Sequence, residues 1–345
     1  MSISKFKTIT DKQEWQELLN AVEKFDFYHT YDYHHLSKAE GEIPVLIKYE
    51  EEGNIIGLPF LKRRIFNTDY FDITSVYGYA GTLHKNIDEN YDNVHFLNQL
   101  NTYFQENNIV TVFARLNPYI PFQEKAIAGL GEIVKLSKVV NIDLTKDLDE
   151  QRTIFSKTTK RYINKARKLC TVKVGGTKDD MKVFQDLYYE NMDRVNAKKS
   201  YYFDEAYFDK FINSSDFQTD VLFAILKETN EIISAAMMVR TNDIIQYHIS
   251  GTRNDYLNLT PIRLLIDEMR IKGVDQKYAY FNLGGGLGSS EDSLFNFKAS
   301  FSKDFKDFKI WKYIVNQSIY DDLVKQFADK NDNQSFFPLY RNTVS

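Results

Sequence analysis

IIQYHISGTRNDYLNLTPIRLLIDEMRIKGVDQKYAYFNLGGG, residues 244–286, holds the pattern that decides the fold. Ile244–Ser250 reads as a strand. Thr260-Pro261 is a helix start, because Thr caps and Pro is tolerated at the first helical position. Ile262, Leu265, Ile266 and Met269 recur at helical spacing, and Gly273 marks the expected end. Tyr278–Leu283 is a second strand. A strand–helix–strand unit of this size predicts two parallel strands joined by a crossover helix. Ligands of such sheets gather at the carboxyl ends of the strands, here His248–Thr252 and Asn282–Gly286.

Working outward, Val221–Glu228 and Glu231–Arg240 predict a hairpin turning at Thr229-Asn230. Lys178–Asn196, Tyr207–Ile212 and the stretch Gln151–Leu169 read as helices. In the first half, Thr10 with Gln13 predicts a capped helix carrying Trp15, Leu18, Leu19 and Val22. Ile43–Tyr49 and Ile55–Leu61 predict strands around Glu52-Gly53-Asn54. Asp72–Val76, Ile109–Leu116 and Lys138–Leu144 are further strands, and Val94–Asn107 a helix. The fold class expected is α+β. The acidic segment Asp147–Glu150 sets the expected boundary, with domains over residues 1–146 and 147–345 and the last helix packing back on the first.

The chain has 345 residues, suited to about two domains, and 43% hydrophobic against 27% charged residues fits a globular protein. A net charge of −4 excludes bulk affinity for nucleic acid while leaving room for a local basic stripe. The single cysteine, Cys170, excludes an internal disulfide and fits a reducing compartment. The first residues lack the apolar core of a signal peptide and no run is long enough to span a bilayer, so the expected location is the cytoplasm. His34, His35 and His248 have no metal-ligand spacing, and no metal is expected.

Several clusters can carry chemistry. Gly284-Gly285-Gly286 after a strand lets the backbone approach a phosphate or a pantetheine-like arm, or is a plain turn. Lys298, among aromatics soon after, suits an oxyanion or a phosphate, or is a lysine snorkelling to the surface. Arg152–Lys168, with Lys160 and Arg161 at its middle, carries seven cations and no acid. It suits a polyanion such as a transfer RNA acceptor stem, or is a solvated face. Tyr77, Tyr79, Arg115 and Asn117 at strand ends suit a sugar or diphosphate acceptor. Arg194 near Tyr201 and Tyr202 is a second candidate anion clamp. Cys170 reads as structural.

Taken together, Tyr77-Gly-Tyr-Ala-Gly81, Arg115-Leu-Asn-Pro118, Tyr162-Ile-Asn-Lys-Ala166, Tyr188–Arg194, Tyr247-His-Ile-Ser-Gly251, Leu283-Gly-Gly-Gly286 and Phe297-Lys298 resemble the Fem family of non-ribosomal peptidyltransferases. The resemblance implies two GNAT-like domains, each a mixed sheet flanked by helices, with a cleft between them. It implies an acyltransferase moving an amino acid from aminoacyl-tRNA onto a peptidoglycan or polysaccharide precursor, with peripheral membrane contact where the acceptor is lipid-linked. Phe297 and Lys298 correspond to the family's Phe-Lys pair near the transferred aminoacyl end, and Arg194 to an arginine that contacts the precursor. No tightly bound cofactor is implied; the donor is aminoacyl-tRNA or acyl-CoA. Residues 251–259 lack the glycines with which backbone amides wrap a CoA pyrophosphate. The expected reaction is direct transfer without a covalent intermediate, Lys298 offsetting donor charge and Arg115, Arg194 and Tyr79 holding the acceptor. Asp193, Tyr247 and His248 are the candidate bases. An acyl-CoA-dependent enzyme and a non-catalytic binding module are the alternatives.

Overall fold

The computed structural model describes residues 4–328 and 336–342. The chain forms two compact units. One joins Met1–Leu136 to Asp307–Ser345, and the other is the continuous segment Ser137–Lys306. The chain passes between them within two strands rather than at the acidic junction expected near residue 147. That junction instead starts a short helix inside the second unit, because Asp147 and the acids after it suit a helix N-terminus.

The first unit contains β1 (Lys5–Ile9), α1 (Lys12–Ala21), α2 (Tyr31–Ser37), β2 (Ile43–Glu51), β3 (Asn54–Arg64), β4 (Phe71–Thr74), β5 (Leu83–Lys85), α3 (Val94–Glu106), β6 (Ile109–Arg115) and α4 (Gln123–Ile127). The strand β7 (Glu132–Asp143) then leads out of it. The second unit continues with α5 (Leu148–Ile154), α6 (Lys157–Leu169), β8 (Cys170–Gly175), α7 (Lys178–Arg194), α8 (Glu205–Ile212), β9 (Gln218–Leu226), β10 (Ile232–Thr241), β11 (Ile244–Thr252), α9 (Ile262–Asp275), β12 (Tyr280–Gly284) and α10 (Ser293–Lys298). The strand β13 (Asp304–Ile314) returns to the first unit, followed by α11 (Gln317–Phe327).

In the first unit the strand order is β1-β2-β3-β4-β6-β13, with β5 on β3. Its main core packs Phe96, Leu100 and Phe104 of α3 against Val45, Ile47, Ile56, Leu58 and Val112 of the sheet, and it includes Trp311 of β13. Tyr320 and Leu323 of α11 pack with Ile65, Val110 and Tyr340 in a satellite cluster of the same unit. In the second unit the order is β7-β12-β11-β10-β9-β8. Strands β8 to β11 are antiparallel neighbours, and β11 and β12 are parallel, as the crossover pattern requires. The core on one face joins Ile163 and Ala166 of α6 and Leu264, Leu265 and Met269 of α9 to Val140, Ile142, Leu222, Ile245, Phe281 and Leu283. Helices α7 and α8 pack on the sheet as well, against β11, β10 and β9.

Local chemistry moved several boundaries. The first helix is capped by Asp11, whose carboxylate accepts from the Glu14 N–H at 3.0 Å, in place of Thr10. The stretch Gln151–Leu169 splits at Phe155, because Ser156 caps α6 through the Thr159 N–H. Thr260 does not cap α9; it sits in the left-handed region (φ 46°), and Pro261 takes the N-cap position. Gly273 lies inside α9, where it lets the helix close on Leu144 and Ile245. Among the described residues no helix is long and apolar enough to cross a membrane.

Candidate functional site in the second unit

The parallel ladder of β11 and β12 is short. Ile244 pairs with Tyr280, Ile245 with Phe281 and Gln246 with Asn282, and there it stops. Beyond that row β11 pairs only with β10, through an irregularity in which Met237 faces Ile249 and Met238 faces Tyr247. His248 is thus the extra residue of a β-bulge, a device that re-aims side chains beside sites. The carboxyl ends of β11 and β12 separate after Gln246 and Asn282, leaving a wedge between two parallel strands.

The glycine turn forms one wall of that wedge. Gly284 has φ +78°, a conformation L-residues rarely adopt. A Cβ on Gly286 would lie 2.0 Å from the Ser290 carbonyl oxygen and 2.4 Å from Asp292 Oδ1. Asp292 pins the turn from both sides, accepting from the Leu287 N–H at 3.2 Å and capping α10 through the Phe295 N–H at 2.9 Å. Asn282 closes the base of the turn by accepting from the Gly284 N–H at 2.9 Å.

Lys298 ends α10 and is 8% exposed, so it does not snorkel. Its Nζ donates to the Gly285 carbonyl at 2.6 Å. Burial pulls its pKa down to about 8, against a smaller upward pull from Asp292. Phe297 lies under the Arg263 guanidinium at 4.5 Å from its ring centroid. Arg263 also donates to the Thr159 and Ser300 hydroxyls at 2.6 and 2.8 Å, so it joins α9, α6 and the end of α10. On the β11 side, Tyr247 shares a hydroxyl hydrogen bond with Ser250, and burial raises its pKa to about 12. His248 stacks on Phe211 with centroids 4.9 Å apart, and burial lowers its pKa to about 4. At neutral pH both groups stand uncharged.

Other expected residues have different surroundings. Arg194, at the end of α7, donates to the Thr252 carbonyl at 3.1 Å and to Asn254 at 2.8 Å, and also to Asn191. Tyr201 is 39% exposed, and its carbonyl accepts from the Tyr188 hydroxyl. Asp193 accepts from the Tyr202 hydroxyl at 2.7 Å. Residues 254–259 coil into a 3-10 turn, and the Asn254 N–H is already occupied by the Glu190 carboxylate at 2.6 Å. On α6, Lys160 donates to the Thr153 carbonyl and Arg161 stacks near Tyr162. Arg152 and Arg167 reach the buried Asp267 of α9. Lys157, Arg161, Lys165 and Lys168 remain as exposed cations at spacings that share one helix face. A cavity of about 310 Å³ lies beside α5, lined by Ile142, Asp143, Lys146, Ile154, Phe301 and Asp304. Asp143 pairs with Tyr280, so this cavity sits at the amino end of β12, away from the glycine turn.

The candidates of the first unit form a separate group. Tyr77 is 66% exposed, and the Arg115 guanidinium lies 5.8 Å from its ring centroid and 5.0 Å from that of Phe113. Tyr79 meets Tyr28 and Phe308 edge-on. Asn117 is buried and committed to the fold: it donates to the Tyr79 carbonyl and Asp26 and accepts from the Tyr119 N–H. Among the described residues no three His, Cys, Asp or Glu side chains gather as a metal site. Cys170 is buried in the core of the second unit, and burial raises its pKa.

Sequence reasoning passed over Asn141, Gln246 and Asp304. A lone Asn in the apolar run Lys138-Val-Val-Asn-Ile142 was the available signal. Such residues are buried only when something holds their polar atoms.

No family model matches the chain, and no curated protein matches it. Solved structures do. A structure of FemX aligns with TM-score 0.70 at 13% identity, covering 91% of this chain and 99% of that one. A conserved protein of unknown function from Bacteroides thetaiotaomicron aligns with TM-score 0.58 at 11% identity, covering 90% and 100%. A C-terminal domain described as that of a lysylphosphatidylglycerol synthetase from Agrobacterium fabrum aligns with TM-score 0.55 at 14% identity, covering 90% and 93%. At these identities the likeness is one of fold. The resemblance to the Fem family read from the sequence is borne out at that level, and the α+β class with it.

Proposed function

We propose that the chain is an acyltransferase that moves an aminoacyl group onto an amine or hydroxyl of a cell-envelope precursor at the cytoplasmic face. The observation that carries this reading is the wedge between β11 and β12, with the buried ammonium of Lys298 held over the glycine turn that walls it. A carbonyl entering the wedge meets a desolvated cation that is already oriented, which is where electrostatic stabilisation is strongest. In the transfer, the acceptor's nitrogen or oxygen bonds to the acyl carbon and loses a proton. The donor's C–O bond breaks, and its hydroxyl leaves protonated. Lys298 offsets the charge that develops between these events, and the fold supplies orientation.

Two observations favour an aminoacyl-RNA donor over acyl-CoA. The turn before α9 offers a carboxylate, Glu190, where a pyrophosphate would need free backbone amides. The exposed stripe Lys157, Arg161, Lys165 and Lys168 is the kind of surface an acceptor stem fits. An envelope acceptor is supported by the Fem resemblance and by the lysylphosphatidylglycerol synthetase name of one neighbour in fold. Arg115 with Tyr77 and Tyr79 is the proposed acceptor contact.

The test is mass analysis of acceptors after incubation with aminoacyl-RNA minihelices or acetyl-CoA. The acceptors are UDP-linked muropeptide, activated sugars and phosphatidylglycerol vesicles. Product from the RNA donor, lost in Lys298→Ala, is the expected result. Product from acetyl-CoA alone overturns the choice of donor. Absence of product and of thermal stabilisation with every donor overturns the reading and leaves a binding module.

A further inference from the structure

At the apex of the wedge, three carboxamides stand in register across three strands. Gln246 of β11 pairs with Asn282 of β12, and Asn282 with Asn141 of β7. They are 2%, 0% and 0% exposed. The neighbours Phe281, Leu283, Val140 and Ile142 point into the core with α6 and α9, so the carboxamides face the other side of the sheet.

The two asparagines are each held at one end. Asn282 Oδ1 accepts from the Gly284 N–H at 2.9 Å, and a backbone N–H can only donate. Asn141 Nδ2 donates to Asp304 Oδ2 at 2.7 Å, and a carboxylate can only accept. These partners fix both amide orientations without ambiguity. The remaining ends, Asn282 Nδ2 and Asn141 Oδ1, are buried and have no hydrogen-bond partner among the described residues. An orphaned buried polar atom costs about 1–3 kcal/mol. Here a donor and an acceptor are orphaned side by side on directly opposed residues, at the point where the strands part.

We infer that Asn282 and Asn141 read the α-amino group and carbonyl of the transferred acyl group, and so make the site selective for aminoacyl over unsubstituted acyl donors. This rests on the transferase reading above and names its substrate class. Asn282 Nδ2 donates to the carbonyl oxygen. Asn141 Oδ1 accepts from the α-ammonium, which the Asp304 carboxylate next to Asn141 also favours. An acyl group lacking the amine leaves Asn141 unsatisfied, and sites built to hydrogen-bond a group reject analogues without it.

The experiment compares binding of four probes that differ in one amine and one carrier. Two are RNA minihelices ending in non-hydrolysable 3′-amide-linked alanyl or propionyl adenosine; two are alanyl-CoA and propionyl-CoA. The expected result is that the wild-type protein binds the alanyl member of one pair at least about tenfold more tightly. The pair that shows the ratio identifies the carrier. Asn282→Asp keeps the acceptor for the Gly284 N–H while replacing the presented donor, and Asn141→Leu removes the presented acceptor. Asn141→Leu should bring the ratio to about threefold or less, whereas Asn282→Asp, which loses the donor to the carbonyl that both members carry, should weaken binding of the propionyl member at least about tenfold, melting temperatures confirming that the variants fold. Equal binding of alanyl and propionyl probes by the wild type, a ratio that survives Asn141→Leu, or propionyl binding that Asn282→Asp leaves unchanged, overturns the inference and leaves the transferase reading intact. Binding of none of the four overturns both.

Discussion

The Lys298 ammonium lies 2.6 Å from the carbonyl oxygen of Gly285, although the side chain is almost wholly buried and no carboxylate pairs with it among the described residues. A lysine in such a place costs the fold stability, because the folded-state pKa of about 8 lies below the ordinary 10.5. Below pH 8 the folded and unfolded chains both carry the proton, and the full penalty is felt. Stability rises as pH climbs from about 8 toward 10.5, where the unfolded chain still binds a proton that the folded one has released. Lys298→Met should therefore raise stability at pH 7 by roughly 2 kcal/mol, measured by urea unfolding, while abolishing transfer. Activity of the wild type should fall as pH rises through about 8, with the loss of the cation.

Acid should act through buried histidines. Burial lowers the pKa values of His29 and His248 to about 4 and that of His34 to about 3, from the ordinary 6.5. All three are neutral in the fold, and the unfolded chain takes up protons first. Their contribution is complete above pH 6.5 and is lost as pH falls toward the folded values. Urea unfolding between pH 7 and pH 4 should show stability declining with a slope approaching three protons, about 4 kcal/mol per pH unit at its steepest. His34→Gln should reduce that slope by about a third.

Asp267 is a buried carboxylate serving three cations: Arg270 at 2.9 Å, Arg167 at 3.0 Å and Arg152 at 3.5 Å. Removing one partner of a buried ionic cluster strands the others, typically at 3–5 kcal/mol. Asp267→Ala should destabilise the protein by about 3 kcal/mol or more. Replacement of the exposed Arg161 should cost less than 0.5 kcal/mol. Thermal unfolding separates the two outcomes clearly.

Gly286→Ala tests the wall of the wedge. The added methyl would drive the turn off Ser290 and Asp292, and Asp292 caps the helix that delivers Lys298. Activity should fall at least about tenfold with a stability loss of about 1–3 kcal/mol, the usual cost of overpacking. An active Gly286→Ala protein would mean that the turn does not position Lys298.

The sequence made the second unit's centre legible because its signals agree. The periodicity of Ile262–Met269, Pro261 and the flanking strands all specify a crossover, and β11 and β12 are parallel as a result. The glycines and Lys298 were legible as a cluster for the same reason, being close in the chain. Asn141, Gln246 and Asp304 were not, since nothing local tells a strand that its polar residue will face others brought from 105 and 163 positions away, the separations of Gln246 from Asn141 and of Asp304 from Asn141. The basic helix was read as one charged run, whereas α9 neutralises Arg152 and Arg167 through Asp267. Strand β8 is short and follows the basic helix α6 without a break, so the alternation of Cys170, Val172 and Val174 with Thr171 and Lys173 is hard to separate from the helix end. The boundary near residue 147 was misplaced because unit membership changes in the middle of strands, where composition does not change.

The discontinuity of the first unit has a consequence for biosynthesis. Its sheet needs β13 beside β6, and its core needs Trp311, which is fully buried. Both lie after the whole of the second unit in the chain. As the polypeptide leaves the ribosome, the first-unit segment emerges with β6 lacking its neighbour and the Trp311 site unfilled. The second unit, continuous from Ser137 to Lys306, has all of its residues before the first unit receives its last strand. The half of the molecule that is translated first is therefore the half that is completed last.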